Sequence, residues 1–221
     1  MFEWIIPKSK MILDYSYYTA LILVIVIGSF RFQLFDKGIK IMYLCMVTGA
    51  INEILVYISK RFNFNTMPLY HVYCVVEFFI ITVFFLNTVN FSRKRLYILL
   101  SAIVLPTLGY CNLVFLQPKT GLNSNMFILE SMCVIAMSLY SLYTILADDF
   151  VTVVHNDPYF WFWVFFLILY SGTFFFWAYI VPISKNVKLM DIAQNIQVII
   201  NICVYVGIGS VFFFYPKMVK K

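Results

Sequence analysis

Residues 67–89 read MPLYHVYCVVEFFIITVFFLNTV, an apolar run with no Lys or Arg and with one carboxylate, Glu77, near its middle. A helix rises 1.5 Å per residue, so about 20 such residues cross the roughly 30 Å hydrocarbon layer of a bilayer. A barrel strand would instead alternate polar and apolar residues over about ten positions, and this run does not. Comparable runs recur at about 13–33, 38–59, 95–116, 124–147, 158–183 and 189–215. The pattern predicts an all-α, polytopic membrane bundle of seven transmembrane helices. With short connectors throughout, residues 1–221 read as a single domain.

Composition agrees. The chain is 63% apolar, 20% aromatic and 12% charged, with mean hydropathy +0.90, against roughly 45–50% apolar and 25% charged in soluble domains. Most charges fall in the connectors, and Asp157-Pro158 has the form of a helix start, with Asp as cap and Pro in the first turn. No polar stretch is long enough for a soluble catalytic or nucleic-acid-binding domain. The first span lacks the pattern of a cleaved leader and is read as retained.

Lys and Arg total nine on the side of the C-terminus and seven on the side of the N-terminus. That balance puts the N-terminus outside and the C-terminus inside. Arg93-Lys94-Arg95 and the tail residues Lys217, Lys220 and Lys221 then read as topology anchors, so the net charge of +6 says little about partners. Cys45, Cys74, Cys111, Cys133 and Cys203 are scattered without a CxxC pair, as small packing residues would be.

The polar residues inside the spans are the informative ones. Glu77 has company in Glu53, Glu130, Gln194, Asn195, Gln197 and Asn201. Since successive spans alternate in direction, all of these fall toward the side shared with the N-terminus, and Glu77 lies deepest. Tyr110 and Asn112, at the end of span four, fall on that side as well. At 100° per residue Tyr70, Tyr73 and Glu77 share one face, as do Gln194, Gln197, Asn201 and Tyr205, and as do Gly49, Glu53 and Tyr57. A charged side chain at a helix centre costs about 2.5–3.5 kcal/mol on insertion scales, which drives such stripes toward the bundle interior or water. With no deep Lys or Arg to pair with, a glutamate there is either a protonated hydrogen-bond donor or a carboxylate holding something positive. The expectation is a polar cavity open to the N-terminal side, with Glu53, Tyr70, Tyr73, Glu77, Glu130, Gln194, Gln197 and Asn201 as ligand-binding residues. The simpler alternative is interhelical glue, at about 0.6 kcal/mol per bond.

Span six, YFWFWVFFLILYSGTFFFWAY at 159–179, reads as a lipid-facing aromatic wall with Trp and Tyr at the interfaces, interrupted by Ser171 and Gly172, which allow close helix approach. A stacking surface for a flat or cationic ligand is the functional alternative. A retinal protein would need a Lys in the last span, and Met190–Tyr215 has none. His71, at a span entrance, reads as an interfacial polar group, His155 falls in a connector, and Asp148-Asp149 reads as a solvated loop. HExxH and GxSxG signatures are missing, so neither a metal nor a cofactor is expected and the enzyme reading comes last, as a carboxylate-based lipid hydrolase.

The LYHVYCVVEFF of 69–79, the ILES of 128–131, the aromatic sixth span with its Ser-Gly, and the Asn- and Tyr-bearing seventh resemble a family of uncharacterised seven-span bacterial membrane proteins. The resemblance implies the bacterial cytoplasmic membrane and brings no particular activity. Two readings lead: a receptor-like or accessory subunit holding a small ligand, a cation, a lipid or a partner, acting through a second membrane protein or a homo-oligomer, and a cation- or proton-coupled transporter or channel.

Overall fold

Every apolar run is helical in the computed structural model, which describes residues 8–89, 93–116, 124–147, 154–183 and 186–219. The helices are α1 (Lys8–Arg31), α2 (Lys37–Arg61), α3 (Met67–Thr88), α4 (Lys94–Cys111), α5 (Ser124–Leu146), α6 (Pro158–Ile183) and α7 (Val187–Val219). All seven have the length and apolarity of membrane spans. The chain is a multi-pass membrane protein of seven helices, in a lipid bilayer environment.

Local chemistry sets several starts. The Asp36 carboxylate accepts from the Ile39 backbone N–H at 2.9 Å and caps α2. Asp157 accepts from the Tyr159 N–H at 2.8 Å just before Pro158, as expected, and the Asn186 side chain accepts from the Leu189 N–H at 3.3 Å before α7. Apolar runs fall short of the helices at two places: α1 starts at Lys8 and α7 continues to Val219. Hydropathy marks the part of a helix that matches lipid, whereas backbone bonding continues into the polar margin. A π-helical turn, Asn112–Leu116, extends α4.

Packing contacts run α1 to α2, α2 to α3, α3 to α5, α5 to α6, α6 to α7 and α7 back to α1, which closes a ring of six helices. Helix α4 stands outside that ring and packs against α3. Gly109 lets it approach, because a Cβ there would lie 2.6 Å from a Val75 methyl. Gly172 does the same for α6 and α7, where a Cβ would meet Ile200 at 2.7 Å. This is the close approach expected from the Ser-Gly interruption.

Three expectations are corrected. Span six is not simply a lipid-facing wall: Phe162, Trp163, Phe166 and Tyr170 are buried, while Phe175 and Tyr179 are exposed. Ring closure turns one side of α6 inward, and lipid is no more apolar than the interior, so aromatic content alone does not choose between them. His71 is buried, with its Nε2 lacking a partner, because the α3 entrance is covered by protein. Tyr57 is exposed, although it shares a helical face with Glu53. Asp148-Asp149, Lys220 and Lys221 lie outside the described residues, as do the side chains of Lys94, His155 and Lys217.

Candidate functional site

The polar stripes meet. A cavity of about 160 Å³ lies inside the ring, with walls from α1, α2, α3, α5, α6 and α7. Helix α2 contributes Gly49, Asn52 and Glu53; α3 contributes Tyr70, Tyr73 and Glu77; α5 contributes Phe127 and Glu130. The remaining wall is Tyr17 of α1, Leu169, Tyr170 and Thr173 of α6, and Gln197, Asn201 and Tyr205 of α7. Every one lies at mid-helix or in the half nearest the N-terminal end of the bundle.

Seven of the eight residues proposed from sequence therefore share one wall. Gln194 is the exception, being absent from the lining. It is on the same stripe as Asn201, but seven residues earlier, which is about 10 Å along the axis. Depth rather than direction leaves it out. Tyr110 and Asn112 do not line the cavity either, since α4 stands outside the ring.

Hydrogen bonds tie the wall into a graded arrangement. Tyr17 donates to Glu53 Oε1 at 2.9 Å, bridging α1 to α2. Gln197 donates to Thr173 Oγ1 at 3.0 Å and to Asn201 Oδ1 at 3.4 Å, bridging α7 to α6. Cys74 Sγ donates to Glu130 Oε2 at 3.1 Å, bridging α3 to α5. The hydroxyls of Tyr73 and Tyr170 face the Glu77 carboxyl, and Tyr170 also faces Glu130. Glu77 is half-buried although it sits at mid-helix inside the ring, because part of its surface is cavity wall.

Glu130 differs. It is 1% exposed, and its Oε1 has no hydrogen-bond partner. A buried acceptor without a donor costs about 1–3 kcal/mol, so a donor brought to this oxygen would remove that cost. Phe127 is stacked on Trp177 at 4.6 Å with ring planes 8° apart, which fixes the apolar part of the wall. Among the described residues no Lys, Arg or His contributes to the lining.

Sequence reasoning missed Tyr17, Tyr170 and the role of Cys74. Tyr17 lay in the polar cluster Asp14-Tyr15-Ser16-Tyr17-Tyr18, which gave no signal to single it out. Tyr170 was hidden among aromatic neighbours, and Cys74 gave only the signal of a small packing residue; all five cysteines are free.

No protein-family model, curated protein or solved structure matches the chain. What the cavity can do follows from its own residues.

Proposed function

We propose that this chain is a non-enzymatic, receptor-like or accessory membrane protein that holds a small ligand in the cavity open toward its N-terminal end. One observation carries the reading: side chains from six helices surround a space whose most buried carboxyl, Glu130, keeps an oxygen without a donor. Glue would close such a space and pair such an oxygen. A cavity of 150 Å³ accommodates a benzene-sized molecule, so this one suits a ligand of about six heavy atoms and is too small for a lipid chain. Occupancy would be passed on by contact with a second membrane protein or another copy of the chain. We place the protein in the bacterial cytoplasmic membrane with the N-terminus outside, on the distribution of Lys and Arg and on the resemblance described above, and assign it no nucleic-acid partner.

A cation- or proton-coupled transporter or channel is the second reading. Three carboxyls, Glu53, Glu77 and Glu130, in one cavity wall favour it, whereas the tightly packed aromatic layer below the cavity would have to part for passage.

The test is a thermal-shift screen of small molecules against the wild type and Gly49→Leu, whose new side chain projects toward Tyr73 and fills the space. Thr173→Leu is the second filled variant. Compounds that raise the wild-type melting temperature and leave both filled variants unmoved are expected. A panel in which every response is shared by all three proteins overturns the reading.

A further inference from the structure

The chemistry of the wall narrows the ligand, given the ligand-cavity reading above. Among the described residues, three carboxyl groups line the space and no cationic side chain does. Several wall donors are already committed: the Tyr73 and Tyr170 hydroxyls face Glu77, Tyr17 is engaged with Glu53, and the Gln197 amide with Thr173 and Asn201. At Glu130, Oε2 accepts from a thiol, a weak donor, the Tyr170 hydroxyl faces the same carboxyl, and Oε1 has no hydrogen-bond partner. Whatever completes this wall should bring N–H or O–H groups and positive charge.

Geometry separates the kinds of cation. Among the described residues, no three His, Cys, Asp or Glu side chains gather closely enough to hold a metal ion. The carboxyls instead come from three different helices, Glu53 from α2, Glu77 from α3 and Glu130 from α5. A quaternary ammonium has charge but no N–H, so it would leave Glu130 Oε1 unsatisfied. A primary ammonium presents three donors in a compact head, and its alkyl stem suits the faces of Phe127, Tyr73 and Tyr205, with aromatic rings attracting the cation.

We propose that the cavity binds a small primary amine in its ammonium form, with the nitrogen held by Glu77 and Glu130 and the stem directed toward Glu53. A monoamine would use the deep carboxyls alone; a diamine would add Glu53 through its second nitrogen. Both share the chemistry that the wall demands.

The test uses the full chain, purified in detergent, and titrations with n-butylamine, putrescine, n-butanol, tetramethylammonium and sodium chloride, read by calorimetry and melting temperature. Saturable binding of n-butylamine or putrescine is expected, with n-butanol, tetramethylammonium and sodium at least tenfold weaker. Tighter binding of putrescine assigns the diamine arm, and equal binding assigns the monoamine arm. Glu77→Gln and Glu130→Gln should each weaken amine binding at least tenfold, while Asp36→Asn, at the far end of the bundle, should leave it unchanged. Helicity and monodispersity check that the variants fold, and Thr173→Leu, which narrows the cavity without altering a carboxyl, should also abolish binding. Equal binding of n-butanol, or protection by sodium alone, overturns the ammonium assignment while leaving a ligand cavity in place. Failure of all five probes overturns the assignment too, and the cavity reading falls with it only if the wider screen also finds no compound that distinguishes the filled variants.

Discussion

The two ends of the six-helix ring are built differently. Toward the N-terminal end, phenols, amides and carboxyls leave about 160 Å³ open. Toward the other end, Phe84 packs against Phe162, Trp163, Phe166 and Tyr159, with ring centroids 5.0–6.1 Å apart, and Phe35 against Phe212 at 5.0 Å. Asp36 then clamps three helices there. Its carboxylate caps α2 and accepts from the Tyr159 hydroxyl of α6 at 2.7 Å, and its N–H donates to the Tyr215 hydroxyl of α7 at 3.2 Å. Helix association in lipid relies on packing and hydrogen bonds rather than on a hydrophobic drive, so an end that packs fully can hold an end that does not. The aromatic end supplies rigidity, and the cavity end is free to be shaped by what it binds.

That contrast sets an order of effects. Phe84→Ala should cost most, about 3–5 kcal/mol measured by reversible unfolding in detergent, since the residue is fully buried and central to the aromatic layer. A loss under about 1 kcal/mol would mean that the layer is not what holds the ring. Asp36→Ala should cost about 1.5 kcal/mol, combining a lost cap with the lost bond from the Tyr159 hydroxyl, while the backbone N–H that bonds Tyr215 remains. Cross-linking or exchange measurements should locate the loosening at the α2 and α6 ends. Tyr17→Phe should cost the least, about 0.6 kcal/mol, because one bond to Glu53 is lost at a wall that is already open. A loss near that of Phe84→Ala would make the cavity wall structural glue.

The spans were legible in the sequence because the bilayer imposes a length that hydropathy can count. The stripes were legible as well, because helical phase fixes which residues share a face: Tyr70, Tyr73 and Glu77 were grouped correctly, as were Gln197, Asn201 and Tyr205. What was not legible is which apolar surface meets protein and which meets lipid, since both are equally greasy. For that reason α4 could not be set apart from the ring, and Phe162, Trp163 and Phe166 could not be told from Phe175. Depth was the other weakness. Phase brings Gln194 to the right face, but only the helix contacts tell where the cavity ends. The Cys74 to Glu130 bond joins residues far apart in the chain, and no local pattern announces it.

The central claim, that the glutamates of separate helices enclose a space made to be occupied, is tested most directly by an experimental density map of the protein purified from its native membrane. Non-protein density among Tyr73, Glu77, Glu130 and Asn201, within reach of Glu130 Oε1, is the predicted result. A closed interior with those glutamates bonded only to one another or turned toward lipid would contradict it.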